Sequence, residues 1–205
     1  MDLYFYGRGL LIGFSIAAPV GPIGILAIRR TLTLGKRAGL VTGLGAATAD
    51  AIYGCIAGFG LTAVSDLLLG QAFWLKLVGG LFLCYLGVKT FISHPAEETG
   101  VIENNRAYWS MYTSTVLLTL TSPATILSFA AVFVGLGLAT MGGNYTTAAV
   151  LVAGVFSGSA LWWLLLSSGA DLLRGKFTPQ RLRGLNRISG LILLTFGIIA
   201  LSARN

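Results

Sequence analysis

From Ala107 to Ala170 the chain runs for 64 residues without one charged side chain. A soluble globule of 205 residues has too little interior to hide a stretch of that length, because a large share of its surface stays in water. A helix crossing the hydrocarbon of a bilayer needs about 20 mostly apolar residues. The stretch therefore holds two crossings, divided at the weak loop Thr140-Met-Gly-Gly-Asn-Tyr-Thr146. The pattern recurs elsewhere. No charge lies in the 20 residues between Arg8 and Arg29, or in the 16 between Arg187 and Arg204. Between Arg37 and Asp66 there is one charged residue, Asp50. Only 10% of the chain is charged and 55% is apolar, whereas a soluble domain is about 25% charged. A soluble enzyme, a disordered chain, a disulfide scaffold and a nucleic-acid binder are excluded as first readings.

Six membrane spans are expected, near 6–28, 38–62, 71–92, 109–138, 146–170 and 186–203. Orientation follows from Lys and Arg, which concentrate in cytoplasmic loops. The first loop holds Arg29, Arg30, Lys36 and Arg37, the third Lys89 and Arg106, and the fifth Arg174, Lys176, Arg181, Arg183 and Arg187. Those loops carry 11 of the 14 basic residues. They are expected to be cytoplasmic, with both termini outside. This asymmetry also accounts for the formal charge of +7 without a nucleic-acid partner. Arg8 and the apolar run after it mimic a signal peptide, but Pro19 obstructs the cleavage point, and a retained first helix is expected. Cys55 and Cys84 lie in apolar stretches, and the sole histidine, His94, lies in a loop. They have no metal-ligand spacing, so neither a metal site nor a cofactor is expected.

The sequence also repeats internally. Gly80-Leu-Phe-Leu-Cys-Tyr-Leu-Gly87 and Gly190-Leu-Ile-Leu-Leu-Thr-Phe-Gly197 share four of eight residues at an offset of 110. At an offset of 109, Gly45 meets Gly154, Asp50 meets Ser159 and Tyr53 meets Trp162. At an offset of 101, Gly21-Pro22-Ile23-Gly24-Ile25-Leu26 meets Ser122-Pro123-Ala124-Thr125-Ile126-Leu127. The expected fold is an all-α membrane protein of six transmembrane helices in two three-helix repeats, 1–92 and 109–205, joined by a cytoplasmic linker at 93–108. Three being odd, the second half must cross the membrane inverted relative to the first. Such inverted repeats recur in secondary transporters, with the site near the midplane, on discontinuous helices.

The first and fourth spans are expected to be broken at their prolines. Pro19, Gly21 and Pro22 form the denser break, and Thr121, Ser122 and Pro123 its counterpart. Backbone groups freed in lipid are tolerated only where protein or a wet cavity satisfies them, and half-helix ends can hold a carboxylate or a cation. Asp50 is the one acid well inside a span. Intramembrane acids face the bundle interior or a cavity, where this one could carry a proton, hold a substrate ammonium, bind a cation or serve as a structural acid. Thr48 and Tyr53 lie near it, and Ser159 opposite it by the repeat. Arg29 and Arg30 are read as a positive-inside anchor, with a cytoplasmic gate or a substrate-carboxylate contact as the alternatives. Trp162 and Trp163 are read as packing or lipid-facing. The glycine pairs Gly39/Gly43 and Gly154/Gly158 allow close helix packing.

Pro19-Val-Gly-Pro22, Arg29-Arg30-Thr-Leu-Thr-Leu-Gly35, Gly39-Leu-Val-Thr-Gly-Leu-Gly45, Ala49-Asp50-Ala-Ile-Tyr53 and Thr121-Ser-Pro123-Ala-Thr-Ile follow one another in an order that resembles the LysE/RhtB family of bacterial amino-acid exporters. The likeness covers nearly the whole chain. Val20 lies where the family more often has Pro-Gly-Pro, and Ser122 where it more often has Asn. The resemblance implies a non-enzymatic, proton-driven exporter of small amino acids or related solutes in the bacterial inner membrane. Its expected partners are a small-molecule substrate and membrane lipid; a homo-oligomer stays open. The alternative is a cation or inorganic-ion transporter of a related six-span family. A dithiol electron carrier needs cysteines beside the breaks, and a membrane enzyme needs a second acid or a buried base; the chain offers neither arrangement.

Overall fold

A computed structural model describes residues 2–19, 21–58, 72–92, 105–122, 125, 126, 128, 129, 145–175 and 178–202. Among them the chain forms seven helices of 13 to 30 residues: α1 (Asp2–Ala17), α2 (Pro22–Leu34), α3 (Lys36–Gly58), α4 (Ala72–Ile92), α5 (Asn105–Leu120), α6 (Tyr145–Arg174) and α7 (Pro179–Ser202). Lys36–Ile56, Tyr145–Arg174 and Gln180–Ile199 are long and apolar enough to cross a membrane, and α1 with α2 make a fourth candidate, bent by 81°. In α4 the apolar run is the shorter Gly80–Ile92.

The bend has a local cause. α1 ends at Ala17, and α2 restarts with Pro22 at its first position, where a missing N–H is harmless and a fixed φ suits the helix. Gly21 precedes it with no side-chain cap, and its carbonyl accepts the first helical bond of α2, from the Ile25 N–H at 3.0 Å. Because α2 restarts so late, it runs on to Leu34 and carries Arg29 and Arg30 inside the helix. The basic first loop expected from the sequence is therefore a single residue, Gly35, whose φ of 97° suits glycine and lets its N–H bond to the Thr31 carbonyl at 2.9 Å. Lys36 and Arg37 start α3, exposed.

The packing is that of a membrane bundle, where small residues let backbones approach. α1 lies along α6, and a Cβ on Gly9, Gly13, Gly154 or Gly158 would run into backbone of the other helix. α4 and α7 meet glycine to glycine: a Cβ on Gly190 would stand 2.7 Å from the Gly87 carbonyl oxygen, and one on Gly197 would stand 2.9 Å from that of Gly80. α3 runs antiparallel to α6, with Gly39 against Ser167, Gly43 against Trp163 and Gly54 against Val155. On its other side α3 packs on α5, Gly45 facing Tyr112 and Thr115. Burial differs from that of a soluble fold at both the surface and the polar groups. Leu11, Leu117, Leu165, Leu191, Ile198 and Ile199 are exposed, while Arg29, Arg30, Thr42, Asp50, Ser159 and Asn186 are buried. The interior is still mostly apolar, but an outward apolar surface with polar groups kept inside is what a lipid solvent selects.

Candidate functional site

Asp50 sits two-thirds of the way along α3 and is 3% exposed. The antiparallel register with α6 brings Ser159 to it, and the serine hydroxyl donates to Oδ2 at 2.7 Å. Trp163, one turn further along α6, donates its Nε1–H to the same hydroxyl oxygen at 3.2 Å. Its ring is buried with Ala17, Ala27, Ala46 and Ala47, so it faces the bundle rather than lipid. Trp162 packs edge-on against Phe14, ring centroids 5.3 Å apart. Among the described residues, Ser159 is the carboxyl's only hydrogen-bond partner and no Lys or Arg pairs with it. A buried carboxyl in lipid surroundings with one neutral donor lacks the partner that normally neutralises it.

The other residues expected around Asp50 make contacts between and within helices. Tyr53 donates its hydroxyl to the Leu120 carbonyl at 2.5 Å, closing the last turn of α5. Thr48 accepts from the Tyr112 hydroxyl at 2.9 Å, tying α3 to α5. Neither bonds the carboxyl. Just after α5, the Thr121 hydroxyl returns to the Leu117 carbonyl at 2.8 Å. Ser122 then plays the part of Gly21, its carbonyl accepting from the Ile126 N–H at 3.1 Å. Its hydroxyl makes a long contact, 3.5 Å, with the Thr125 N–H. Pro123 lies outside the described residues. Pro19 is exposed, and Gly21 and Pro22 are half-buried.

The arginines of α2 are deep in the protein, each 8% exposed. Arg29 donates from Nε to the Asn186 side-chain oxygen on α7 at 2.9 Å. Arg30 turns the other way, into the angle between α3 and α5. Its NH1 donates to Thr42 Oγ1 at 2.9 Å, Thr115 Oγ1 at 3.2 Å and the Met111 carbonyl at 3.2 Å, and its NH2 to Ser114 Oγ at 3.3 Å. These acceptors are neutral. A third arginine, Arg174 at the end of α6, reaches the Thr33 carbonyl at 3.5 Å. The sequence pattern pointed to Arg29 and Arg30 but not to their partners. A hydroxyl spaced for its own helix, as Thr42 and Thr115 are, has no periodic signature that separates it from ordinary backbone capping. Asn186 had a weaker signal, a lone amide at the edge of an apolar run.

Apolar helices facing outward and a buried acid with a paired hydroxyl define a multi-pass helical membrane protein. The sequence profile of the family described as LysE type translocator matches residues 14–204, and the chain belongs to that family. It is 30% identical over 193 residues to a Bacillus subtilis (strain 168) protein named "Putative amino acid efflux protein YcgF", covering 92% of this chain and 90% of the relative. A protein of Escherichia coli (strain K12), "Uncharacterized membrane protein YahN", is 27% identical over 176 residues, 83% of this chain and 77% of its own length. The B. subtilis "Uncharacterized membrane protein YrhP" is 26% identical over 209 residues, 93% and 97% of the two chains. No solved structure matches the chain significantly.

Proposed function

We propose that this protein is a secondary exporter that moves small amino acids or related zwitterionic solutes across the bacterial inner membrane, driven by the proton gradient and working by alternating access. The observation that carries the reading is the contact between Asp50 and Ser159. These two residues correspond at the repeat offset of 109. In a molecule built from two inverted halves, residues on the pseudo-twofold axis meet their own counterparts, and the site lies there. The α4–α7 contacts have the same character, since Gly80 meets Gly197 and Gly87 meets Gly190, and the offset of 110 exchanges one contact for the other. The matching helix restarts at Gly21 and Ser122 add a third correspondence.

On this reading the chain has six spans, two inverted halves at 1–92 and 109–205 with a linker at 93–108, and both termini in the periplasm. The substrate sits between the breaks at Pro19–Pro22 and Pro123. Free amide ends of the half-helices that start after these breaks receive its carboxylate. Asp50, oriented by Ser159, receives either its ammonium or a proton, so that the two compete. Thr48 and Tyr53 hold the neighbouring helices, and Arg29 and Arg30 fasten α2 as a cytoplasmic gate. The test is flux of labelled amino acids in proteoliposomes with an imposed pH gradient, for wild type and Asp50→Asn. Gradient-dependent flux of one amino-acid class, lost in Asp50→Asn, is the expected result. Unchanged flux in the variant removes Asp50 from the mechanism, and no flux of any amino acid by folded protein overturns the exporter.

A further inference from the structure

We propose that Arg30, framed by Thr42, Ser114 and Thr115, is a second substrate station that takes the carboxylate of the solute, and that Asp50 takes its ammonium at a different stage of passage. The inference rests on the exporter reading above and deepens it: it divides the substrate's two charges between two places.

The first ground is charge. A guanidinium does not lose its proton in a protein, and a buried charge normally has a partner of opposite sign. Arg30 is 8% exposed, and its partners are three hydroxyls and one carbonyl. No acid pairs with it among the described residues. The second ground is the free edge. The Nε–H of Arg30 has no hydrogen-bond partner among the described residues. Nε with NH2 is one of the forked edges that bind a carboxylate through two parallel bonds. The third is the frame. Thr42, Ser114 and Thr115 each spend their hydroxyl proton on a carbonyl of their own helix. Their lone pairs thus hold the guanidinium in place while its Nε edge stays open to an arriving anion.

Separation from Asp50 gives the order of events. Thr42, which holds Arg30, and Asp50 are both on α3 and eight residues apart, about 12 Å along the helix. An amino acid carries its ammonium and carboxylate on one carbon, so it cannot meet both residues at once. The stations act in succession.

The experiment is competition against flux of whichever labelled amino acid the wild type moves, in vesicles of zwitterionic lipid, where no headgroup is a net anion. One competitor is the matching 2-hydroxy acid, which keeps the carboxylate and lacks the ammonium. The other is the amino-acid amide, which keeps the ammonium and lacks the carboxylate. In wild type both compete. In Arg30→Gln, competition by the hydroxy acid weakens by about tenfold or more, the scale of a lost charge-assisted bond, and competition by the amide is unchanged. Arg30→Lys keeps the charge but not the fork, and serves if the glutamine variant does not fold. It is expected to show the same selective loss, smaller in size. Equal weakening of both competitors, or none, in a folded variant overturns the assignment and leaves Arg30 as a helix clamp. No labelled amino-acid flux in wild type overturns the exporter and this inference with it. Flux in wild type without selectivity in the variants overturns this inference alone.

Discussion

The α4–α7 interface and the surroundings of α2 are two solutions to the same problem of joining helices in a bilayer. The first is made of glycines placed against glycines, with Leu194, Leu201 and Cys84 filling the flanks. The second is made of arginines: Arg29 and Arg30 reach amide, hydroxyl and carbonyl oxygens on α7, α3 and α5, and Arg174 of α6 reaches the Thr33 carbonyl of α2. Dispersion contacts between close backbones have one good arrangement, and any displacement forfeits them. Long side chains on neutral oxygens can exchange one acceptor for another at modest cost. The contrast separates a part suited to stay fixed from a part suited to move, and it sets out four predictions.

The largest effect is expected at Asp50. Asp50→Asn should bring gradient-driven flux to the level of empty vesicles while the protein still elutes as a folded species, since the carboxyl touches one hydroxyl and no cation among the described residues. Next is the fixed interface. Gly190→Leu places a side chain where a Cβ alone would stand 2.6 Å from the Phe91 amide nitrogen, and a loss of about 1–3 kcal/mol is expected, read as a lower thermal midpoint in detergent. A midpoint equal to wild type would mean that α4 and α7 are not held as described. Third, Tyr53→Phe removes the bond to the Leu120 carbonyl and should cost about 1 kcal/mol, again by thermal midpoint. The smallest effect sharpens the comparison. A Cβ at Gly21 meets nothing within 4 Å and its φ is −97°, so Gly21→Ala should change stability by less than about 0.5 kcal/mol. If flux nonetheless falls in that variant, the break acts through its freedom of movement and not through packing.

Much of this was legible in the chain because charge and repetition survive as patterns. An offset of 109 set Asp50 opposite Ser159 before any geometry was known, and the two share a hydrogen bond. The density of proline and glycine at residues 19–24 marked the place where α1 gives way to α2. The depth of Arg29 and Arg30 was not legible. Counting basic residues assigns them to a loop by their distance along the chain, and that reasoning presumes a loop exists. Here the turn is one glycine, so residues five and six positions before it lie inside the bundle. Of the two roles read for Trp163, packing holds. An indole in an apolar run does not by itself separate packing from a lipid-facing role; its register against Gly43 and Ser159 does.

The single-residue turn at Gly35 also bears on mechanics. A connector that short has no slack, so α2 cannot shift along its axis without dragging the start of α3. The opposite end of α2 is joined to α1 through residues 18–21, which lie outside both helices. α2 is thus an arm of about 20 Å, thirteen residues long, tied closely to α3 at one end. A tilt of about ten degrees about Pro22 would displace the backbone at Arg29 and Arg30, seven and eight residues along, by about 2 Å, and would carry the start of α3 with it. The hydrogen bonds of Arg29 and Arg30 span 2.9 to 3.3 Å, so any such tilt must either stretch them past bonding distance or draw the two long side chains along.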